Sequence, residues 1–140
     1  MSTLPEFSTE LNAYLIPRFK DKILVLRRKN GIWEFPGGGV EFGEHPEKSS
    51  IRETMEETGL KASNLKLLGV TSATYKKDGK EKHSVYVVYS GDVEKDEFSI
   101  SSEHEEGRWL TLVELEFLKL GFNAQDAVDF LKKTQACQQP

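Results

Sequence analysis

The chain has 140 residues, 37% of them hydrophobic and 30% charged, enough for one domain that buries roughly two-thirds of its unfolded surface. Against 19 basic side chains stand 23 acidic ones, a net charge of −4, so there is no basic footprint for a nucleic-acid polymer, and a protein of this charge handling phosphates would need metal ions to neutralise its ligand. The longest apolar runs, 23–26 and 85–89, cannot span a membrane; the start MSTLPEFSTE lacks the basic head and apolar centre of a secretory leader; and a lone cysteine, Cys137, excludes an internal disulfide and a cysteine-based zinc site. A cytoplasmic location is expected.

Residues 11–16 and 22–27 read as strands around a turn near 17–21. Lys29-Asn30-Gly31 is a turn, and residues 32–35 form a short strand that Pro36 stops. Gly37, Gly38 and Gly39 then read as a loop. A helix follows, with Pro46 at its first position, where a missing N–H costs nothing, Glu47 against the positive helix start, and Gly59 just past its end. Ile51 and Met55 are its clear apolar positions, with Ser50, Thr54 and Thr58 beside them, a weak stripe that leaves the polar face as the reason for the helix. Residues 65–75 read as a strand or two, 76–82 as a charged hairpin loop, and 84–89 as a central, largely apolar strand. Residues 99–106 are polar and acidic, 108–110 a short strand, 111–118 a short helix, and 123–133 a final amphipathic helix. No repeat, low-complexity tract or linker divides the chain, so a single domain over 1–140 is expected, in the α/β or α+β class with a mixed sheet.

Within the helix and the loop before it, Gly38, Glu44, Arg52, Glu53, Glu56, Glu57 and Gly59 fall in the spacing G-x5-E-x7-R-E-x2-E-E-x-G, followed by the apolar Leu60. Glu53, Glu56 and Glu57 stand at i, i+3 and i+4 and share one helix face. Carboxylates that close repel, and a hard divalent cation would reverse the sign of the interaction. A run of charges is ordinarily a solvated surface. At background frequencies, however, seven specified residues match by chance about once in 10^8 starting points.

Those residues resemble the Nudix box, the signature of the Nudix hydrolases, the MutT-like superfamily. All seven fixed positions are met over residues 38–60; Thr54 departs from the family's usual aliphatic residue, and Ser49 and Ser50 stand where small or apolar residues are common. Weaker likeness runs outward from Arg27-Arg28 and the W-E-F-P-G-G stretch to Glu103 and Trp109. The resemblance implies an α/β/α sandwich around a mixed sheet and Mg²⁺- or Mn²⁺-dependent hydrolysis of a nucleoside diphosphate-linked compound. It implies that Glu53, Glu56 and Glu57 and the Gly38 carbonyl hold metal, an all-oxygen donor set that suits Mg²⁺. Arg52 would orient a box glutamate. Glu44 would support the site or simply complement the helix dipole. The general base would be Glu53 or an acid of the later loop, in the order Glu103, Glu106, Glu105, with Glu103 also matching a metal-binding position.

The substrate is less determined. Arg27 matches a position that reaches phosphate or ribose, though a surface cation is an equal reading. Asn123 either reads a base edge or caps the last helix, the cap being preferred. Tyr75, 15 residues beyond Leu60, is a loose marker of dinucleoside polyphosphate hydrolases, where it stacks on a base. Trp33, Phe35 and Tyr86 read as core. His83 and His104 have no metal-ligand spacing and read as structural. The expected substrate is a nucleoside triphosphate, with an oxidised dNTP included, cleaved to monophosphate and pyrophosphate. ADP-ribose and dinucleoside polyphosphates are the alternatives, and a non-catalytic nucleotide-binding module is the rival of another class. A monomer or a homodimer is compatible with the family.

Overall fold

The computed structural model describes residues 7–138. Residues 1–6, most of the stretch read above for a leader, lie outside the described residues. The order is β1 (Phe7–Phe19), β2 (Lys22–Arg28), β3 (Trp33–Glu34), β4 (Gly37–Gly39), α1 (Pro46–Thr58), β5 (Ser63–Lys77), β6 (Lys80–Asp92), β7 (His104–Leu110), a 3₁₀ turn (Glu114–Phe117) and α2 (Phe122–Gln138). The main sheet runs β3-β2-β1-β6-β5, with β7 on the other edge of β2. The β1–β6 ladder is parallel and the other named ladders are antiparallel, so the sheet is mixed, as expected.

Neighbouring residues point to opposite faces of a strand, and two cores result. Leu15, Leu24 and Leu26 pack with Leu60, Ala62 and Val93 on the side of α1. Ile16, Ile23 and Val25 pack with Trp33, Phe35, Val88 and the inner residues of α2, Ala124, Ala127, Val128 and Leu131. This is an α/β/α sandwich. Among the described residues, no helix is long and apolar enough to cross a membrane.

Several expected boundaries move. The hairpin loop over 76–82 contracts to Asp78-Gly79, both with positive φ (56° and 74°), the backbone that matches the twist of flanking strands. The expected glycine loop is instead a strand. Only Arg18 and Phe19 of β1 pair with β2; the two strands then part, and Gly37–Gly39 pairs with Asn12, Ala13 and Tyr14. The glycines offered no side-chain pattern from which to read that pairing. The expected helix over 111–118 is a single 3₁₀ turn.

Helix α1 starts at Pro46 and ends at Gly59, whose φ of 74° and N–H to the Met55 carbonyl close the last turn. Its inner face differs from expectation. The buried residues are Ser49, Ser50, Thr54, Glu57 and Thr58, while Met55 is 43% exposed. Three of the four buried hydroxyls bond within the helix: Ser50 Oγ donates to the Glu47 carbonyl (2.7 Å), Thr54 Oγ1 to the Ser50 carbonyl (2.8 Å) and Thr58 Oγ1 to the Thr54 carbonyl (2.6 Å), while Ser49 Oγ has no hydrogen-bond partner among the described residues. Small side chains with internally bonded hydroxyls let α1 lie close on the sheet without large apolar residues, which accounts for Thr54.

Candidate active site

Glu53 and Glu57 of α1 face β4. The Gly37 N–H donates to Glu57 Oε2 at 3.0 Å. A Cβ on Gly38 would stand 2.9 Å from Glu53 Oε1 and 3.0 Å from its carboxyl carbon, so the glycine lets the backbone meet the side chain. Arg52 gathers the rest. Its Nε and Nη2 bond Glu44 at 2.8 and 3.1 Å, and its Nη1 lies 3.2 Å from Glu53 Oε1 and 3.3 Å from Glu56. Glu44 also accepts the Glu41 N–H, at 3.1 Å. The Arg52 hydrogen bond, and next the Glu41 amide, hold the Glu44 carboxyl down to about 2. Glu44 is thus a partner of Arg52, which the helix-dipole reading did not require.

Glu57 is the buried member, 4% exposed. Burial first, then the charges of Glu53 and Glu103, push its carboxyl up to about 9 against the lowering effect of the Gly37 N–H. Glu103, exposed and just before β7, brings an oxygen into one group with Glu57 and His104, their ligand atoms all within 4.8 Å of one another. His104, read as structural from the sequence, belongs to the same group. Its side chain is wholly buried, with Nε2 3.0 Å from Glu34 Oε2 and Nδ1 3.9 Å from Glu57 Oε1. Glu34 was not singled out in the sequence, and His104 was read there only as structural; they stand 70 residues apart, and only the pairing of β2 with both β3 and β7 brings them together.

The other acids of the expected loop lie on β7. Glu105 and Glu106 each approach Arg27 Nη2 at 3.4 Å, and Glu106 also pairs with Arg108. They are engaged with cations, while Glu103 is the one that approaches Glu57. Arg27 shares the strand alternation of Ile23 and Val25 and lies on the α2 side, 6.0 Å from the centre of the Trp33 ring. Asn123 is not the cap of α2: the helix starts at Phe122, and the Gly121 carbonyl accepts the first helical bond, from the Gln125 N–H (2.9 Å). Tyr75 is 41% exposed, and its hydroxyl lies 3.3 Å from Ser84 Oγ. Tyr75 is on the same face of β5 as Thr71, which bonds Asp126 of α2 at 2.5 Å. A groove of about 530 Å³ between β5 and the start of α2 is lined by Ala73, Thr74, Gly121, Gln125 and Asp126.

The donors fit a divalent cation. Glu53 and Glu57 meet a glycine backbone, Glu103 approaches from β7, and like charges this close are stable together only with a proton or a cation among them.

The description "NUDIX domain" matches residues 10–133. YtkD of Bacillus subtilis (strain 168), named as a candidate 8-oxo-dGTP diphosphatase, is 42% identical over 84 residues, which are 60% of this chain and 51% of YtkD. The match therefore spans about half the length of that relative. The asymmetrical bis(5'-nucleosyl)-tetraphosphatase of Mus musculus is 31% identical over 135 residues, 88% of this chain and 91% of that protein. Among solved structures, a MutT NUDIX hydrolase from Burkholderia pseudomallei superposes with a TM-score of 0.77 at 26% identity, covering 87% of this chain and 97% of the other. The chain belongs to the NUDIX family of hydrolases, and its fold is theirs.

Proposed function

We propose that this protein hydrolyses the pyrophosphate bond of a nucleoside triphosphate, oxidised dNTPs included, to a nucleoside monophosphate and pyrophosphate, with Mg²⁺ or Mn²⁺. The observation that carries the reading is the convergence of Glu53, Glu57 and Glu103 from α1 and the start of β7 beside the backbone of β4. Glu53, Glu56, Glu57, Glu103 and the Gly38 carbonyl would hold the cation, which when bound neutralises phosphate charge and activates water. Arg52 fixes the positions of Glu53 and Glu56. Glu103, exposed and close to Glu57, is the first candidate to take the proton from attacking water, with Glu53 the second. Arg27 offers a guanidinium to phosphate or ribose once Glu105 and Glu106 release it. The groove beside Asn123 is large enough for a base, and likeness to the 8-oxo-dGTP diphosphatase-type relative supports a triphosphate.

One observation favours a second reading. Tyr75 is exposed at the same groove side of β5, and the relative matched over nearly its full length is a dinucleoside tetraphosphatase. Stacking of a second base on Tyr75 would suit such a substrate.

The partner in either case is a nucleotide-type small molecule, bound by a monomer or a homodimer in the cytoplasm. A ³¹P NMR product assay with Mg²⁺ decides the substrate. Monophosphate and pyrophosphate from 8-oxo-dGTP or a common NTP or dNTP, with ADP-ribose and diadenosine tetraphosphate untouched, bears out the first reading. Cleavage of diadenosine tetraphosphate in preference overturns it for the second, and cleavage of ADP-ribose alone overturns both.

A further inference from the structure

His104 is buried between two carboxylates in a way that no box position explains. A carboxylate accepts, so the ring proton of a neutral His104 lies on Nε2, 3.0 Å from Glu34 Oε2. Nδ1 is then a lone-pair donor. It has no hydrogen-bond partner among the described residues, and it faces Glu57 Oε1 at 3.9 Å, beyond hydrogen-bond length. A lone pair facing a carboxyl oxygen is favourable only with a proton or a cation between them, and 3.9 Å is too long for a hydrogen bond from a Glu57 hydroxyl, which leaves the cation. Two donors each roughly 2.1 Å from one ion can stand up to about 4.2 Å apart, so the observed spacing is within reach of a shared cation. The exposed side chain of Glu103 supplies the third donor of the group. The far nitrogen held by a carboxylate is the arrangement that fixes the tautomer and ring orientation of a metal-ligating histidine.

We propose that Glu57, Glu103 and His104 form a mixed nitrogen–oxygen site for a divalent transition-metal ion, with Glu34 as the carboxylate that orients His104. The site rests on the reading of the box as a metal centre and adds a nitrogen donor to its oxygens. A purely oxygen set suits Mg²⁺; an imidazole shifts preference toward Mn²⁺, Co²⁺ or Zn²⁺. Glu57 comes from α1, Glu103 from just before β7 and His104 from its first residue, so this ion would join the helix to β7. The residues exclude bulk water from the imidazole: His104 and Glu57 are both buried, and Glu103 alone reaches solvent.

The test is electron spin echo envelope modulation on the full chain loaded with Mn²⁺, with Mn²⁺ and Mg²⁺ affinities measured alongside. Wild type should show the ¹⁴N coupling of a bound imidazole, changed to that of ¹⁵N when histidine is labelled. His104→Gln can still donate to Glu34 but offers no nitrogen lone pair; it should lose the coupling and bind Mn²⁺ at least tenfold more weakly, with a smaller change for Mg²⁺. Glu34→Gln should keep the coupling and weaken Mn²⁺ about 10–100-fold. Mn²⁺ bound to wild type without nitrogen coupling, or coupling that survives in His104→Gln, overturns the site and leaves His104 as a packing residue. Wild type that binds no Mn²⁺ overturns the metal-centre reading itself, and this site with it. If His104→Gln does not fold, the labelled wild-type spectrum decides alone.

Discussion

Arg52 grips Glu44 with two near-parallel hydrogen bonds, Nε to Oε2 at 2.8 Å and Nη2 to Oε1 at 3.1 Å, while its remaining nitrogen reaches Glu53 and Glu56. The planar fork sets the angle of the whole guanidinium, and so the place of both box carboxylates. A lysine is a point charge with no such fork. Arg52→Lys should therefore keep the fold and lower kcat by about 100-fold, the scale of a small misplacement of reacting groups. Steady-state kinetics with a circular dichroism melt checks it; unchanged kcat removes Arg52 from its role.

The Glu57 carboxyl is raised to about 9 by burial and by Glu53 and Glu103, from an ordinary value of 4.5. The folded protein then holds a proton that the unfolded chain gives up above about pH 4.5, so the metal-free protein loses stability as pH rises from about 4.5 to 9. Thermal melts in chelator should show Tm falling across that window. Mg²⁺ added at pH 8 should reverse much of the fall, and Glu57→Gln should flatten the slope while abolishing turnover. A flat profile in the wild type contradicts the assignment.

Glu103→Gln separates two roles. Loss of a general base should cost roughly 10²–10⁴-fold in kcat with metal affinity little changed. Loss of a ligand should instead show in the metal titration first. The expected result, given its closeness to Glu57 and His104, is a change in both.

Gly38→Ala would place a methyl 2.9 Å from Glu53 Oε1. The end of a glutamate side chain can swing away, so the melt should move little while kcat drops, because Glu53 leaves its position. A large fall in Tm with normal activity would show that the glycine serves the backbone and not the site.

Thr54 is buried and bonded to a carbonyl that already has a place in the helix ladder. Thr54→Val should change stability by about 1 kcal/mol or less, since no partner is stranded. Thr54→Leu should destabilise by about 1–3 kcal/mol through overpacking against the sheet. Urea titrations of the two variants give the comparison.

The helix α1 was legible because Pro46, Gly59 and the charged spacing are local signals. The glycine strand was not, because its pairing depends on where β1 and β2 part, and glycines carry no alternation. Met55 misled as a core position: apolar character alone does not say which helix face is buried when hydroxyl residues bond back to their own turn. The shared helix face of the box carboxylates follows from their spacing, and Glu103, ranked first of the later acids, is the one that lies near Glu57. The Glu34–His104 pair was out of reach, since it exists only through the register of three strands. Glu105 and Glu106 were placed in a loop because polar residues hide a strand, on which both pair with Arg27 of β2 and Glu106 also pairs with Arg108 of its own strand.

The two sides of α1 carry separate information. Its inner side is written mostly in serine and threonine, and the hydroxyls of Ser50, Thr54 and Thr58 close onto the helix itself. Its outer side is written in Arg52, Glu53 and Glu56, joined through the Arg52 guanidinium, with Glu57 at the boundary, buried against the Gly37 N–H. Substitutions among small residues inside can therefore accumulate without disturbing Arg52, Glu53 and Glu56, whereas Glu57 ties the chemistry to the core.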